Sequence, residues 1–239
     1  MARRRFFVDA LRNGLAELHG EDARHLTRVL RVEPGQRFEI SDNESAYLAE
    51  IAEARGERVV FRVLEPIPAP DPVVSLTLLA SIVKFDRFEW IVEKATELGV
   101  ARIVPVAAAR TEKGLFEASA KRSVRWMRIA RESSQQSRRV RMPEIAPAVR
   151  FERAIAETAD YRCFLDEAAA PPLLTTLPAG RTITDRIAVL LGPEGGWTDA
   201  ERQLAIVSGW RTVSLGPQIL RAETAAAAAL ATLTNAWMV

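Results

Sequence analysis

Leu190-Leu191-Gly192-Pro193-Glu194-Gly195-Gly196-Trp197-Thr198-Asp199 is the stretch on which the reading of this chain turns. The apolar run 187–191 predicts a buried strand, and it ends in a turn that holds three glycines and a proline. A helix is expected to open at once, because Thr198 and Glu201 stand in capping-box spacing, Thr as N-cap and Glu at the third helical position. Glycines at a strand-to-helix turn let backbone amides approach a ligand, and a helix N-terminus favours negative or electron-rich groups. A second such junction follows at Val213-Ser214-Leu215-Gly216-Pro217-Gln218-Ile219-Leu220-Arg221, running into an alanine-rich helix over 222–236. One glycine turn is an ordinary connection. Two, at the carboxyl ends of neighbouring strands and with Glu194, Arg221 and Glu223 beside them, predict the crevice of an α/β sheet.

The bulk properties bound what that crevice serves. A chain of 239 residues that is 48% hydrophobic buries a sizeable core in one large domain or two smaller ones. Its formal net charge is only +2, but between Arg110 and Arg141 there are ten Lys or Arg against three Glu. Arg3, Arg4, Arg5, Arg12, Arg24, Arg28 and Arg31 crowd the first 31 residues. With a sequence pI near 9.0, this asymmetry points to a polyanionic partner, against the alternative of a solvated basic helix face. Cys163 is the only cysteine, and His19 and His25 are the only histidines. A disulfide framework or a Cys/His zinc cluster within one chain is therefore excluded, and no metal is expected. Cys163 lies in an apolar strand, where core filling is the simpler role. No apolar run approaches a membrane span and no leader is evident, so a soluble protein of the reducing cytoplasm is expected.

Pro66, Pro68, Pro70 and Pro72 mark the domain boundary, since alternate prolines hold the chain extended and forbid a helix or a central strand. Residues 1–70 contain short strand-like runs at 5–8, 37–40, 47–51 and 59–64 with one helix at 22–30, the composition of a small β-barrel. Residues 71–239 alternate strand and helix: strands at 73–82, 103–107, 162–166, 187–191 and 212–215, helices at 85–98 and 116–137, and helical segments after the later strands. Strands apolar throughout predict a parallel sheet covered on both faces. The dinucleotide fingerprint, the Walker loop and the nucleophile elbow are all absent, so the glycine turns must hold a ligand in another way.

These residues resemble a known family. The segment 190–198 and the run Leu215-Gly216-Pro217-Gln218-Ile219-Leu220-Arg221-Ala222-Glu223-Thr224-Ala225 resemble the two C-terminal motifs of the RsmE-type 16S ribosomal RNA (uracil-N3)-methyltransferases, a branch of the SPOUT superfamily. The likeness extends over nearly all of the chain. Asp22, His25, Leu26, Val29, Leu30 and Arg31 followed by Pro34-Gly35 are similar to its N-terminal segment. Lys84, Glu89 and the run 93–100 are similar to its first SPOUT helix. Arg125, Trp126, Ile129, Ala130, Glu132, Gln136, Ser137 and Arg139 followed by Pro143 are similar to its long basic helix. The resemblance implies a PUA-like RNA-binding barrel followed by a SPOUT-type α/β domain with a C-terminal trefoil knot, of which the periodicity itself carries no sign. It also implies S-adenosyl-L-methionine held by the knotted loops, a homodimer, and one uridine of 16S rRNA, within the 30S subunit, as substrate. Gln218 stands where the family usually has Arg.

Attack by uracil N3 requires loss of its proton, and a cation or N–H donor near O2 or O4 stabilises the resulting anion. Arg221 is the expected cation. Glu194 and Glu223 are both candidates to accept the proton or to orient Arg221, and the base stays unassigned. The cofactor site is expected from Leu165, Asp166 and Glu167 at one strand end, from Leu191, Gly192, Pro193, Glu194, Gly195 and Gly196 at a second, and from Leu215, Gly216, Ile219 and Leu220 at a third. Arg3, Arg4, Arg5, Arg24, Arg28, Arg138, Arg139 and Arg141 are expected on phosphates. Trp126 could stack a base, but its helical spacing with Ile129 fits the core. Two other functions share parts of this pattern: a non-catalytic RNA-binding or assembly module with a vestigial pocket, and a SPOUT enzyme acting on transfer RNA.

Overall fold

The computed structural model describes residues 5–68 and 74–238. Arg3, Arg4, Pro70, Pro72 and the start of the strand expected at 73 lie outside the described residues. The chain divides into two compact units, Met1–Asp71 with Arg131–Met142, and Pro72–Ala130 with Pro143–Val239.

The first unit holds β1 (Arg5–Phe7), β2 (Ala10–Arg12), β3 (Leu15–His19), α1 (Gly20–Arg24), β4 (Arg37–Ser41), β5 (Ala46–Arg55) and β6 (Arg58–Ile67). These strands form one six-stranded sheet, order β1-β4-β5-β6-β3-β2, antiparallel except for β1 against β4. Register shifts between Leu48/Ala49 and Ile51/Glu53 strengthen the twist, and the sheet curls as a half-barrel over Phe6, Leu18, Leu26, Ile40, Ile51 and Phe61. Two features depart from the sequence expectation. The hairpin β2–β3 is additional, closed by Asn13 and Gly14 at φ 50° and 76°. The helix expected over 22–30 is α1 followed by a π-helical turn at His25–Val29, which ends at Arg31 with φ 49°. The Thr27 hydroxyl donates to Ala23 O (3.0 Å) and Gly56 O (2.6 Å), drawing the turn onto the β5–β6 connection. Pro66 is accommodated inside β6 because β3 pairs only as far as Arg62, leaving that end of β6 with β5 alone as partner.

The second unit is built on β7 (Ser75–Ser81), α2 (Phe85–Glu97), β8 (Arg102–Ala107), α3 (Leu115–Gln136), β9 (Glu144–Ile145), β10 (Val149–Arg150), α4 (Phe151–Ala154), β11 (Tyr161–Leu165), β12 (Arg186–Leu191), α5 (Asp199–Val207), β13 (Arg211–Val213) and α6 (Ala222–Ala236). The last six residues of α3 belong to the first unit. The sheet is parallel throughout, order β10-β8-β7-β12-β11-β13, with β9 on β8. Alternate residues of one strand enter different cores. Leu76, Leu78, Ile187, Val189, Leu191, Cys163 and Leu165 pack with Phe88, Ile91 and Val92 of α2, with Trp126 of α3 and with Leu230 of α6. Leu79, Val104, Ala188, Leu190 and Phe164 pack on the other face with Phe151, Trp197, Ala205 and Trp210. Covering on both faces is why these strands are apolar at every position. Trp126 is 1% exposed and lies 4.6 Å from the Phe88 ring centroid, so it is core and stacks no base. Cys163 is likewise core, and burial pushes its thiol up to about 11.

Two details correct the sequence reading. A single 3₁₀ turn, Leu173–Thr176, follows β11 in place of a helix, in a segment with Pro171, Pro172 and Pro178 that leaves no room for one. And the strands bearing the two glycine turns are not adjacent. β12 and β13 flank β11, which pairs with both.

Candidate active site

The ends of β11, β12 and β13 open into a cleft of about 440 Å³. All the expected cofactor residues but one line it: Leu165, Asp166, Glu167, Leu191, Gly192, Pro193, Glu194, Gly196, Leu215, Gly216, Ile219 and Leu220. Gly195 is the exception. A Cβ there would lie 3.3 Å from Arg110 Cβ, so the position faces the β8–α3 connection and not the cleft. Arg221, Gln218, Trp197 and Arg87 also line the cleft; Arg87 and Trp197 were not among the residues picked out from the sequence.

The glycine turn is held from several sides. Trp197 Nε1 donates to Leu165 O (2.8 Å), tying the turn to the end of β11. Arg110 Nη1 donates to Gly195 O (2.7 Å), and Arg202 Nη1 donates to Trp197 O (2.8 Å). The capping box expected from sequence is present: Glu201 N donates to Thr198 Oγ1, and Thr198 N donates to Glu201 Oε2 (2.9 Å). The other oxygen of Glu201 accepts from Ala109 N (2.8 Å), so this 6%-exposed carboxylate also anchors the loop after β8. Gly192 is favoured by close approach, since a Cβ there would lie 3.0 Å from the Trp197 indole and the ring would have to give way. Gly196 is required by its backbone, at φ 70° with a Cβ position that falls on the Glu167 carboxylate.

Asp166 is bound into the scaffold. Its carboxylate takes a two-pronged contact from Arg202 (Nε–Oδ2 2.8 Å, Nη2–Oδ1 3.0 Å) and accepts from Ala168 N (3.1 Å). Burial alone would raise its pKa, but the Arg202 guanidinium and the amides of Ala168 and Glu167 outweigh it and hold the group below the usual carboxylate value. Arg202 carried no signal of this in the sequence beyond its place one turn after the N-cap.

The three residues expected to do chemistry differ in surroundings. Arg221 is the N-cap of α6, its carbonyl accepting from Ala225 N (2.8 Å), and its exposed side chain makes no hydrogen bond or ion pair among the described residues. Glu194 is ion-paired with Arg87 Nη1, not with Arg221. Glu223 lies in the first turn of α6 outside the cleft lining, and its Oε2 is buried with no partner among the described residues. The apolar walls from Leu165, Leu191, Leu215, Ile219 and Leu220, with glycine backbone between them, suit a flat heteroaromatic ring with a polar edge.

The residues expected on phosphates lie in the first unit. Arg5 and Arg138 share Glu39: Arg5 Nη2 lies 3.0 Å from Glu39 Oε2, Arg5 Nη1 donates to Arg138 O (2.7 Å), and Arg138 pairs with both Glu39 oxygens. Arg24 is 3.3 Å from Glu57. Arg139 donates to Arg141 O (3.0 Å), and burial lowers its pKa to about 10. Arg28 has no side-chain partner among the described residues, and the guanidinium of Arg141 is exposed with none.

Comparison with known proteins places this architecture. A family model described as an RNA methyltransferase domain matches residues 69–234, and one described as an RNA methyltransferase PUA domain matches residues 18–64. Ribosomal RNA small subunit methyltransferase E of Synechocystis is 34% identical, over 90% of this chain and 70% of that protein. The protein of the same name from Aquifex aeolicus is 30% identical, over 96% of this chain and 98% of its own length. The crystal structure of ribosomal RNA small subunit methyltransferase E from Neisseria gonorrhoeae, bound to S-adenosyl methionine, superposes with a TM-score of 0.88 at 29% identity and covers 98% of each chain.

Proposed function

The chain belongs to the RNA methyltransferase family that includes the ribosomal RNA small subunit methyltransferases E, and from that premise we propose that it methylates N3 of one uridine in 16S ribosomal RNA with S-adenosyl-L-methionine as donor. The observation that carries this is the cleft at three parallel strand ends, walled by Leu and Ile and closed by glycine backbone, with a partner-free Arg221 at its rim.

When bound, the cofactor supplies an electrophilic methyl group on a sulfonium. The chain's own residues supply the rest. Leu165, Leu191, Leu215, Ile219 and Leu220 exclude water from the ring, while the 191–196 and 215–220 backbone presents polar groups to its edge. Arg221 stabilises negative charge on a uracil carbonyl oxygen as N3 loses its proton. Glu194 or Glu223 takes that proton. Arg28 and Arg141, whose guanidiniums are uncommitted among the described residues, meet phosphates, with Arg24 beside them.

On this reading residues 1–70 bind RNA, residues 71–239 carry the chemistry, and the segment between β12 and β13 is the trefoil knot. β13 pairs on the far side of β11 from β12, so that segment crosses β11, which supports the reading. The working form is a cytoplasmic homodimer acting on the 30S subunit. Small subunits lacking the modification, and naked 16S RNA, incubated with labelled cofactor and digested to nucleosides, test the proposal. 3-Methyluridine from the particles is expected, and a different methylated nucleoside would refute it.

A further inference from the structure

Building on the uracil-N3 reading, we propose that Arg87 and Glu194 together form the base-selecting pair of the cleft, Glu194 accepting the N3 proton and Arg87 donating to the carbonyl beside it. Arg87 stands in the first turn of α2 and Glu194 in the glycine turn after β12. Their side chains meet as an ion pair on the cleft lining, and each is reachable by solvent, 33% and 39% exposed.

The pair presents an N–H donor beside a carboxylate acceptor, and the rest of the fork and the second carboxylate oxygen make no other hydrogen bond or ion pair among the described residues. The edge of uracil around N3 reads carbonyl, N–H, carbonyl. A guanidinium beside a carboxylate matches the carbonyl and N–H half of that edge, and Arg221, on the same lining, is available to the second carbonyl. Cytosine carries a lone pair at N3 and an amino group at C4. It would set lone pair against carboxylate and N–H against guanidinium, so the same pair repels it. Glu223 cannot read this edge, because it lies outside the lining.

In the reaction the N3–H bond breaks toward Glu194 Oε, and the N3 electron pair forms the bond to the methyl carbon. The carbon–sulfur bond electrons return to sulfur, leaving a neutral thioether and a protonated Glu194, which then releases the proton to solvent. Arg87 touches the carbonyl oxygen on which charge collects, which makes both residues catalytic in the strict sense.

Two measurements decide this. The first is equilibrium binding, by saturation-transfer NMR, of uridine 5′-monophosphate and cytidine 5′-monophosphate to protein saturated with S-adenosylhomocysteine. The wild type is expected to prefer the uridine nucleotide by about tenfold. Glu194→Gln and Arg87→Ala, each measured at saturating S-adenosylhomocysteine, are expected to abolish most of that preference while keeping the melting temperature. The second is single-turnover methylation of unmodified small subunits between pH 7 and pH 9. Glu194→Gln should be slowed on the order of 100-fold and should gain about tenfold per pH unit as hydroxide replaces the lost base, where the wild type is level. Arg87→Lys should recover part of the rate lost in Arg87→Ala.

Variants that keep the uridine preference and a level pH profile while still forming 3-methyluridine would reduce the pair to a strut and overturn the inference. A wild type that forms no 3-methyluridine would instead remove the underlying function. The nucleotide preference then judges the pair on its own, and its absence from the wild type overturns it.

Discussion

The Arg221 side chain makes no hydrogen bond or ion pair among the described residues, and this makes the catalytic role proposed for it separable by experiment from a structural one. A side chain with no scaffold partner has little stability to lose. Arg221→Ala is therefore expected to keep its melting temperature and cofactor affinity while single-turnover methylation falls about 100- to 1000-fold. Loss of stability together with activity would mean that the guanidinium braces the fold. Asp166 behaves in the opposite way. Its carboxyl is held below the ordinary value, so its contribution is fully present above the unfolded-state pKa, near 3.9, and disappears as pH falls through the lower folded value. Asp166→Asn should cost about 1.5–3 kcal/mol at pH 7, and the gap to wild type should narrow below about pH 4, as thermal denaturation against pH will show. Gly196→Val should abolish cofactor binding measured by calorimetry, because φ 70° is closed to a β-branched residue and the turn must rebuild. Gly195→Ala, facing Arg110, should retain most of it. Which glycine matters could not be read from three glycines in one turn; it depends on where each Cβ would point.

At the scale of elements, much of the order was legible because burial imposes a period. Residues 222–236 form α6 as the alanine-rich run indicates, and α2 ends at Glu97 just ahead of Gly99, the expected stop. β7, β8 and β12 announce themselves because both their faces are covered. The hairpin of β2 and β3 did not, although Asn13-Gly14 is the residue pair such a turn prefers, since β2 is three residues long and largely exposed. The π turn at His25–Val29 was illegible for another reason: its geometry is fixed by Thr27 reaching Gly56, a contact with no local signature. The capping box of α5 was legible, but the reach of Glu201 across to Ala109 was not, and it adds to what the residue contributes. Glu201→Ala should therefore lower stability by about 2–4 kcal/mol, more than the roughly 1 kcal/mol of an ordinary cap, in chemical denaturation. An effect no larger than that of a simple cap would mean that the Ala109 contact contributes nothing.

For the whole molecule, the basic excess counted along the sequence overstates the charge free to meet a polyanion. Arg5 and Arg138 share Glu39, which cancels one of their two charges and holds both side chains in place, whereas Arg28 and Arg141 are uncommitted among the described residues. Changing Arg28 and Arg141 together to Gln should reduce the slope of log affinity against log salt for small-subunit RNA by about two. Arg138→Gln should leave that slope nearly unchanged and act on stability instead. The candidate site was legible to the extent that it is written in glycine turns. Arg87 and Arg202 were hidden because they meet their partners across 107 and 36 positions of chain.

The pairing of β12 with β7 joins residue 186 to residue 75, and β11 then stands between β12 and β13. Apart from Arg87, the cleft lining is thus contributed by residues 165–225, on strands that join the earlier part of the sheet where β12 meets β7. A growing chain on the ribosome has no such cleft to offer until residues 215–222 have emerged. The ligand can reward only the finished product, and the slow, long-range closure of the sheet proceeds without its help.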